Sequence, residues 1–243
     1  MLNQENRLLV VIVGNTQTHF GFFDGSALVR SERYATREAP WPHPEPGGAT
    51  AIISVVPGVS QVLLVAWEAE QPLLLAADSS PLPIAYVPPT ALGADRVANA
   101  IALHARHGGP AIAVDLGTAT SITAVGEDGT ILGGAIAPGL DTCHSALVER
   151  TAQLSSVELV DPGVPWGRNT TESIQLGLVA GHVGGVRHLV ARMRATLGEE
   201  TPVVLTGGGA RVLAPLLPEF AYLPTLTLEG GRIWLERLRG GSR

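Results

Sequence analysis

Three sets of residues in this chain have types and spacings that chemistry can use. Gly14-Asn15-Thr16-Gln17-Thr18 follows the apolar run "RLLVVIV", and Gly117-Thr118-Ala119-Thr120 follows "AIAVDL". A glycine at a strand end lets backbone approach a phosphate, and successive N–H groups with hydroxyls can cradle its oxygens. Either stretch alone reads better as a tight hairpin; duplicated, and accompanied by a third glycine turn at Thr206-Gly207-Gly208-Gly209, the two favour phosphate. Asp95 and Arg96 open the amphipathic stretch "ADRVANAIALH". There an aspartate serves either as a first-turn charge against the helix dipole or as a general base beside a cation. Local sequence favours the dipole role. Asp115 interrupts the apolar "AIAVDLG". A carboxylate inside a buried strand is costly unless it is paired, hydrogen-bonded or near a cation, so a cation or phosphate-water role fits better than packing.

The elements that must position these residues are legible. "RLLVVIV", "TAIISVVPG", "AIAVDLG" and "PVVLTGGG" are short apolar runs rich in branched residues and read as buried strands. "THFGFF" and "SITAV" read as strands, and Asp24-Gly25 and Asp128-Gly129 as hairpin turns. Helical patterning covers 94–107, 141–150 and 170–197, the last opened by Asn169-Thr170-Thr171-Glu172, a capping-box arrangement. Gly167 and Arg168 precede it; capping explains Asn169 but not Arg168. Thr206-Gly207-Gly208-Gly209 is a third glycine turn, suited to close packing against a nucleotide's ribose or base, although it lacks the dinucleotide fingerprint.

Laying Gly14 on Gly117 aligns a whole unit, with a one-residue slip before the second turn. Asp115 then meets Ile12, so one copy carries a carboxylate where the other carries a core residue. Repetition of a complete unit predicts two similar α/β lobes facing one another, residues 1–108 and 109–243, with the glycine turns converging on a cleft. His19 stands beside the first turn as a candidate for lining that cleft.

Composition sets the bounds. The chain has 243 residues, 45% hydrophobic and 16% charged, with a net charge of −6, which gives nucleic acid no electrostatic support. All 16 basic residues are arginine. The absence of lysine removes the P-loop, the protein-kinase strand lysine and Schiff-base chemistry, so any phosphate must meet amides, hydroxyls, arginine and metal ions. The single Cys143 and seven scattered histidines show no zinc spacing. Cys143 reads as a small buried residue. No secretion core and no run long enough to span a bilayer is visible, so the expectation is a cytoplasmic protein without membrane or nucleic-acid partners.

Taken together and in order, "VGNTQT", "GADRVANA", "VDLGTAT", "GGAIAPGL", "ERTAQL" and "GRNTTESIQLG" resemble the type III pantothenate kinases, from about residue 8 to about residue 210. That family belongs to the actin- and hexokinase-like ATPases. The resemblance implies two duplicated actin-like (ribonuclease H-like) lobes with mixed sheets flanked by helices. It also implies ATP-dependent phosphorylation of pantothenate, the first committed step of coenzyme A synthesis, by a homodimer using Mg²⁺ and a monovalent cation, K⁺ or NH₄⁺. Carried over by position, Asp95 is the catalytic base. Gly14, Asn15, Thr16, Gln17, Thr18 and Thr118 contact ATP. Tyr86, Gly93, Ala94, Arg96 and Thr170 contact the substrate, and Asp115 is the monovalent-cation ligand. Two departures stand out. The family's phosphate loop begins Asp-x-Gly-Asn-Thr, where this chain has Ile12 and lacks the carboxylate that helps hold Mg²⁺. "YVPPTAL" keeps the tyrosine but not the polar residue that often follows it. A catalytically silent, nucleotide- or metabolite-binding regulator, and a kinase of another small hydroxylated acid, therefore stand as alternatives.

Overall fold

The structure, a computed structural model, describes residues 7–38, 41 and 48–240. The expected domain limits at residues 1 and 243 lie outside them. Packing divides the chain into two compact units. One comprises Met1–Gly108, Gly129–Leu132 and Thr225–Arg243; the other comprises Gly109–Asp128 and Gly133–Pro224.

In the first unit, β1 (Arg7–Val13) is the middle of a five-stranded sheet of order β3-β2-β1-β4-β5. It pairs antiparallel with β2 (Gln17–Asp24) and parallel with β4 (Ala49–Ser54). β3 (Ala27–Ala35) and β5 (Leu73–Leu75) are the edges. The near-continuous apolar run of β1 follows from this placement, since both faces of a central strand are covered. One face gives Leu9, Val11 and Val13, which pack with Phe20, Ile52, and Leu63 and Trp67 at α1 (Pro57–Ala66). The opposite face meets α6 (Leu226–Gly240): a Cβ added to Gly231 would fall 2.6 Å from both Val10 and Ile53 side chains. The helix α2 (Ala94–His107) packs on α6, ending at Gly108 with φ 67°. At their crossing a Cβ on Gly230 would run into the Ala98 carbonyl oxygen. Asn99 accepts the Thr227 hydroxyl at 2.8 Å, and Arg106 pairs with Glu229 at 2.9 Å.

The second unit repeats this plan. Its sheet order is β10-β9-β6-β7-β8, which read in reverse reproduces the first. Central β6 (Ala111–Leu116) pairs antiparallel with β7 (Ala119–Val125) and parallel with β9 (Val203–Thr206); β8 (Ile131–Pro138) and β10 (Ala221–Tyr222) are the edges. The long helix α4 (Thr170–Leu197) buries Val179, Val183, Val186 and Val190 against β6 and β9 residues such as Val114 and Leu205. That spacing is one stripe of a helix. The shorter α3 (Leu140–Glu149) and α5 (Ala210–Leu213) complete the unit.

Several expectations are refined here. The capping residue is Asn169, whose side chain accepts the Glu172 N–H at 2.9 Å. Glu172, however, accepts the N–H of Arg168 at 2.8 Å, so residue 168 supplies a backbone donor to the box. The "TAIISVVPG" run ends as a strand at Ser54 and starts α1 at Pro57. The C-terminal stretch, assigned by sequence to the second lobe, folds as α6 and packs in the first unit, because Gly230 and Gly231 let it approach α2 and β1.

Replacing Gly230 by valine forces side-chain atoms into backbone that cannot yield, so Gly230→Val should lower stability by about 3 kcal/mol or more. Gly58→Ala, in open space on α1, should cost nothing. Thermal and urea unfolding of the two variants beside the parent checks this.

Candidate active site

In the first unit the glycine turn lies at the end of β1. Gly14 N–H donates to Gln17 O at 3.0 Å, and a Cβ at residue 14 would sit equally close to that oxygen. The Thr36 hydroxyl donates to Gly14 O at 2.7 Å, and Thr18 Oγ1 lies 3.1 Å from Thr36 Oγ1. With Thr36 spent on Gly14, Thr18 donates to Thr36. Thr18 is fully buried, so it braces the turn from within, while Asn15, Thr16 and Gln17 form its exposed tip.

The start of α2 stands at the same end of this sheet. A Cβ on Gly93 would touch Val55, and the Val55 N–H donates to Val13 O at 3.0 Å beside the turn. Gly93 precedes the helix and makes no side-chain cap. Its missing Cβ has a different use: the space it leaves, 2.5 Å away, holds Asp95 Oδ1. That oxygen accepts the Arg96 N–H at 2.8 Å. Arg96 is itself buried, with its guanidinium 5.5 Å from the Tyr86 ring, and Ala94 is buried beside it. The structure therefore brings Tyr86, Gly93, Ala94, Asp95 and Arg96 into one cluster.

Burial pushes the Asp95 carboxyl above the usual carboxylate range, against the opposing pull of the Arg96 N–H bond and the Arg96 charge. Such a group is a stronger base than a surface aspartate and less content to be ionised. Stability is then fullest below the ordinary aspartate pKa and is lost as pH rises through the raised one.

In the second unit, Gly117 N–H donates to Ala119 O at 3.0 Å. This turn is one residue shorter than the first. Thr118 is exposed at its tip, and its carbonyl accepts both the Gly139 N–H at 3.0 Å and the Thr142 hydroxyl at 2.6 Å. Only glycine fits at 139, because a Cβ there would strike the Gly117 carbonyl oxygen. Behind the turn, Thr120 meets His182 Nε2 of α4 at 2.8 Å. Gly207, with φ +88°, would place a Cβ 2.5 Å from Asp115 Oδ1, and Gly209 N–H donates to Leu116 O at 2.7 Å. On the side where a Cβ would stand, Gly207 and Gly209 close against β6; Gly208 alone has open space there. Thr170 is at the head of α4, on a groove of about 560 Å³ with Leu147, Leu154, Arg168, Ile174 and Gly177.

The donor sets differ in what they fit. Asp115 lies across the ladder from Ser121 on one side and Thr206 on the other, oxygen-bearing neighbours of the kind hard cations take. Around the first turn the residues do not fit a divalent ion held by protein. Ile12 occupies the carboxylate position, and among the described residues no group of three or more His, Cys, Asp or Glu could hold a metal.

The electrostatics of Asp95 can be tested without activity. Asp95→Asn removes a carboxylate whose ionisation the folded state resists, so it should melt at higher temperature than the parent at pH 7–8. The gap should close as pH falls through the raised pKa. Thermal unfolding across a pH series reads both.

Known proteins give the family. The family model for type III pantothenate kinase matches residues 8–192. The type III pantothenate kinase of Thermomicrobium roseum is 39% identical, covering 95% of this chain and 97% of its own. That of Moorella thermoacetica is 38% identical, covering 95% and 99%. Among solved structures, a conserved Baf family protein from Campylobacter jejuni aligns over 96% of this chain and 99% of its own, with a TM-score of 0.66 at 16% identity. An archaeal actin homologue aligns with a TM-score of 0.53 at 10% identity, over 95% and 99%. These last two likenesses show the actin-like fold alone. The family model and the long, well-covered relatives show more: the chain belongs to the type III pantothenate kinase family.

Proposed function

We propose that this protein phosphorylates pantothenate with ATP, the opening step of coenzyme A synthesis. The observation that carries the reading is the base-competent Asp95 fixed at the head of α2, in a chain of this family. In the reaction the pantothenate hydroxyl oxygen forms a bond to the γ-phosphorus of ATP, the bond from that phosphorus to the β-bridging oxygen breaks, and ADP leaves. Asp95 receives the hydroxyl proton, a service that commonly contributes about 10²–10⁴-fold. Phosphoryl transfer otherwise asks for positioning and charge neutralisation more than covalent help.

The remaining residues take supporting roles in this reading. Arg96, held against Tyr86, offers its charge to the pantothenate carboxylate. Gly93, Ala94 and Thr170 shape that substrate's site. Gly14, Asn15, Thr16 and Gln17, with Thr118 of the second turn, receive the phosphates of ATP, while Thr18 keeps the first turn in shape. Asp115 with Ser121 and Thr206 holds K⁺ or NH₄⁺. Kinases that use ATP take a divalent metal such as Mg²⁺, which neutralises phosphate charge. The two compact units correspond to two lobes, with α6 returning to the first.

A homodimer belongs to the same reading. Gly177, Gly181, Gly184 and Gly185 lie along α4 with nothing near the place of a Cβ. Each costs about 1 kcal/mol relative to alanine in a helix. Close approach of a second copy's α4 would give those four positions a use. No helix among the described residues is long and apolar enough to cross a membrane.

Purified protein with ATP, Mg²⁺ and K⁺ should release ADP only when pantothenate is present. Asp95→Asn should cut that rate about 10²–10⁴-fold. Gly93→Ala should cut kcat while leaving the fold intact, because its methyl takes the space of Asp95 Oδ1. The acid limb of kcat/KM should lie above the ordinary carboxylate range. A folded protein that binds ATP without turnover would overturn the reading. For the dimer, Gly181→Glu should halve the mass measured by light scattering; an unchanged mass places the interface elsewhere.

A further inference from the structure

The duplicated sheets carry, next to each glycine turn, a row of side chains on one face, and the two rows have opposite chemistry. Directly opposed residues in neighbouring strands share a face. In the second unit the row is Thr206, Asp115 and Ser121, all oxygen. In the first it is Ile53, Ile12, His19 and Arg33: Ile12 opposes Ile53 of β4 and His19 of β2, and His19 opposes Arg33 of β3. That row has no oxygen ligand and ends in nitrogen donors.

The residues of this row are placed to reach the turn. β3 runs up beside it, with Ala35 opposite Gln17 and the Thr36 N–H donating to Thr16 O at 3.0 Å. Arg33 lies two residues below Ala35, about 7 Å along the strand, a span that an exposed arginine side chain covers. His19 is half-buried, and burial with the neighbouring Arg33 charge lowers its pKa to about 4. At neutral pH its ring is uncharged and keeps one N–H to donate. Ile12 adds no carboxylate to repel an anion.

We propose that His19 and Arg33 form a phosphate-binding pair beside the first glycine turn, contacting the phosphate oxygens of the nucleotide directly at the place where Ile12 leaves no carboxylate to hold a divalent cation. The pair deepens the kinase reading above, since it rests on ATP being the nucleotide bound. Arginine supplies a permanent charge and a planar fork of donors, which suits a phosphate better than it suits any cation. His19, wedged between Ile12 and Arg33, supplies a short second donor.

The test is nucleotide binding by calorimetry with the full chain, in EDTA and in Mg²⁺, using ATP and adenosine as probes. The parent should bind ATP in EDTA within about tenfold of its affinity in Mg²⁺. Arg33→Gln should weaken ATP binding in EDTA by about tenfold or more, the range of a lost charge-assisted hydrogen bond. Adenosine binding should be unchanged in that variant, Arg33→Lys should recover part of the loss, and His19→Phe should show a smaller loss. Equal ATP affinity of parent and Arg33→Gln in EDTA, or a parent that binds ATP in Mg²⁺ alone, would overturn the pair while leaving the kinase reading intact. A parent that binds adenosine but no ATP in either buffer would remove the kinase reading and the pair with it.

Discussion

The first unit depends on how closely α6 approaches its neighbours. Two adjacent glycines do this: Gly230 brings the helix onto the backbone of α2 at Ala98, and Gly231 seats it on Val10 and Ile53. Everything on this unit's side of the chemistry hangs from those two surfaces. α2 carries Asp95 and Arg96 at its head, while β1 and β4 end in the glycine turn and Val55. A helix pushed outward by one methyl would separate the base from the turn it must serve. Two glycines inside a helix cost about 1 kcal/mol each in propensity, and close packing against backbone is what offsets that.

Asp95 shows the opposing demand of function. It is half-buried, desolvation makes ionisation of its carboxyl unfavourable, and the Arg96 N–H and charge recover only part of the loss. A neutral residue there would make a steadier protein and a poorer base. Stability gained elsewhere, in the valine stripe of α4 and the fully buried strands β1 and β6, is what such a site draws on.

Much of this was legible in sequence because it is local. The short apolar runs, the hairpin glycines at 25 and 129, and the Asn169 cap all depend on neighbours a few residues away. The duplication was legible because both copies kept the apolar run and glycine in step. What escaped depends on residues distant in the chain. α6 was invisible because "LEGGRIWLERL" has a glycine pair that lowers helical propensity, and its reason, the Ala98 backbone, lies far upstream. That Gly207 leaves the room of a Cβ to Asp115 Oδ1 could not be read from sequence, because the two residues are far apart in the chain. Thr18 is carried over as an ATP contact, and sequence cannot show that its hydroxyl meets Thr36 just beyond β3. Gly93 read as part of a substrate motif, whereas its role as the hollow for Asp95 Oδ1 needed coordinates.

Divergence of the two rows beside the glycine turns follows from the same geometry. Duplication gave each unit a central strand whose penultimate residue lies near the end of the sheet, Ile12 in one and Asp115 in the other. In the second unit the neighbours are hydroxyls, so a carboxylate there can be satisfied by a cation and by hydrogen bonds. In the first unit the neighbours are Ile53 and His19, the latter beside Arg33. An aspartate at residue 12 would pair with His19 and Arg33 rather than remain free for a metal, so the isoleucine and the nitrogen donors belong to one solution. A chain with no lysine meets phosphate with amides, hydroxyls, arginine and metal ions, and an arginine works best where no carboxylate competes for its fork.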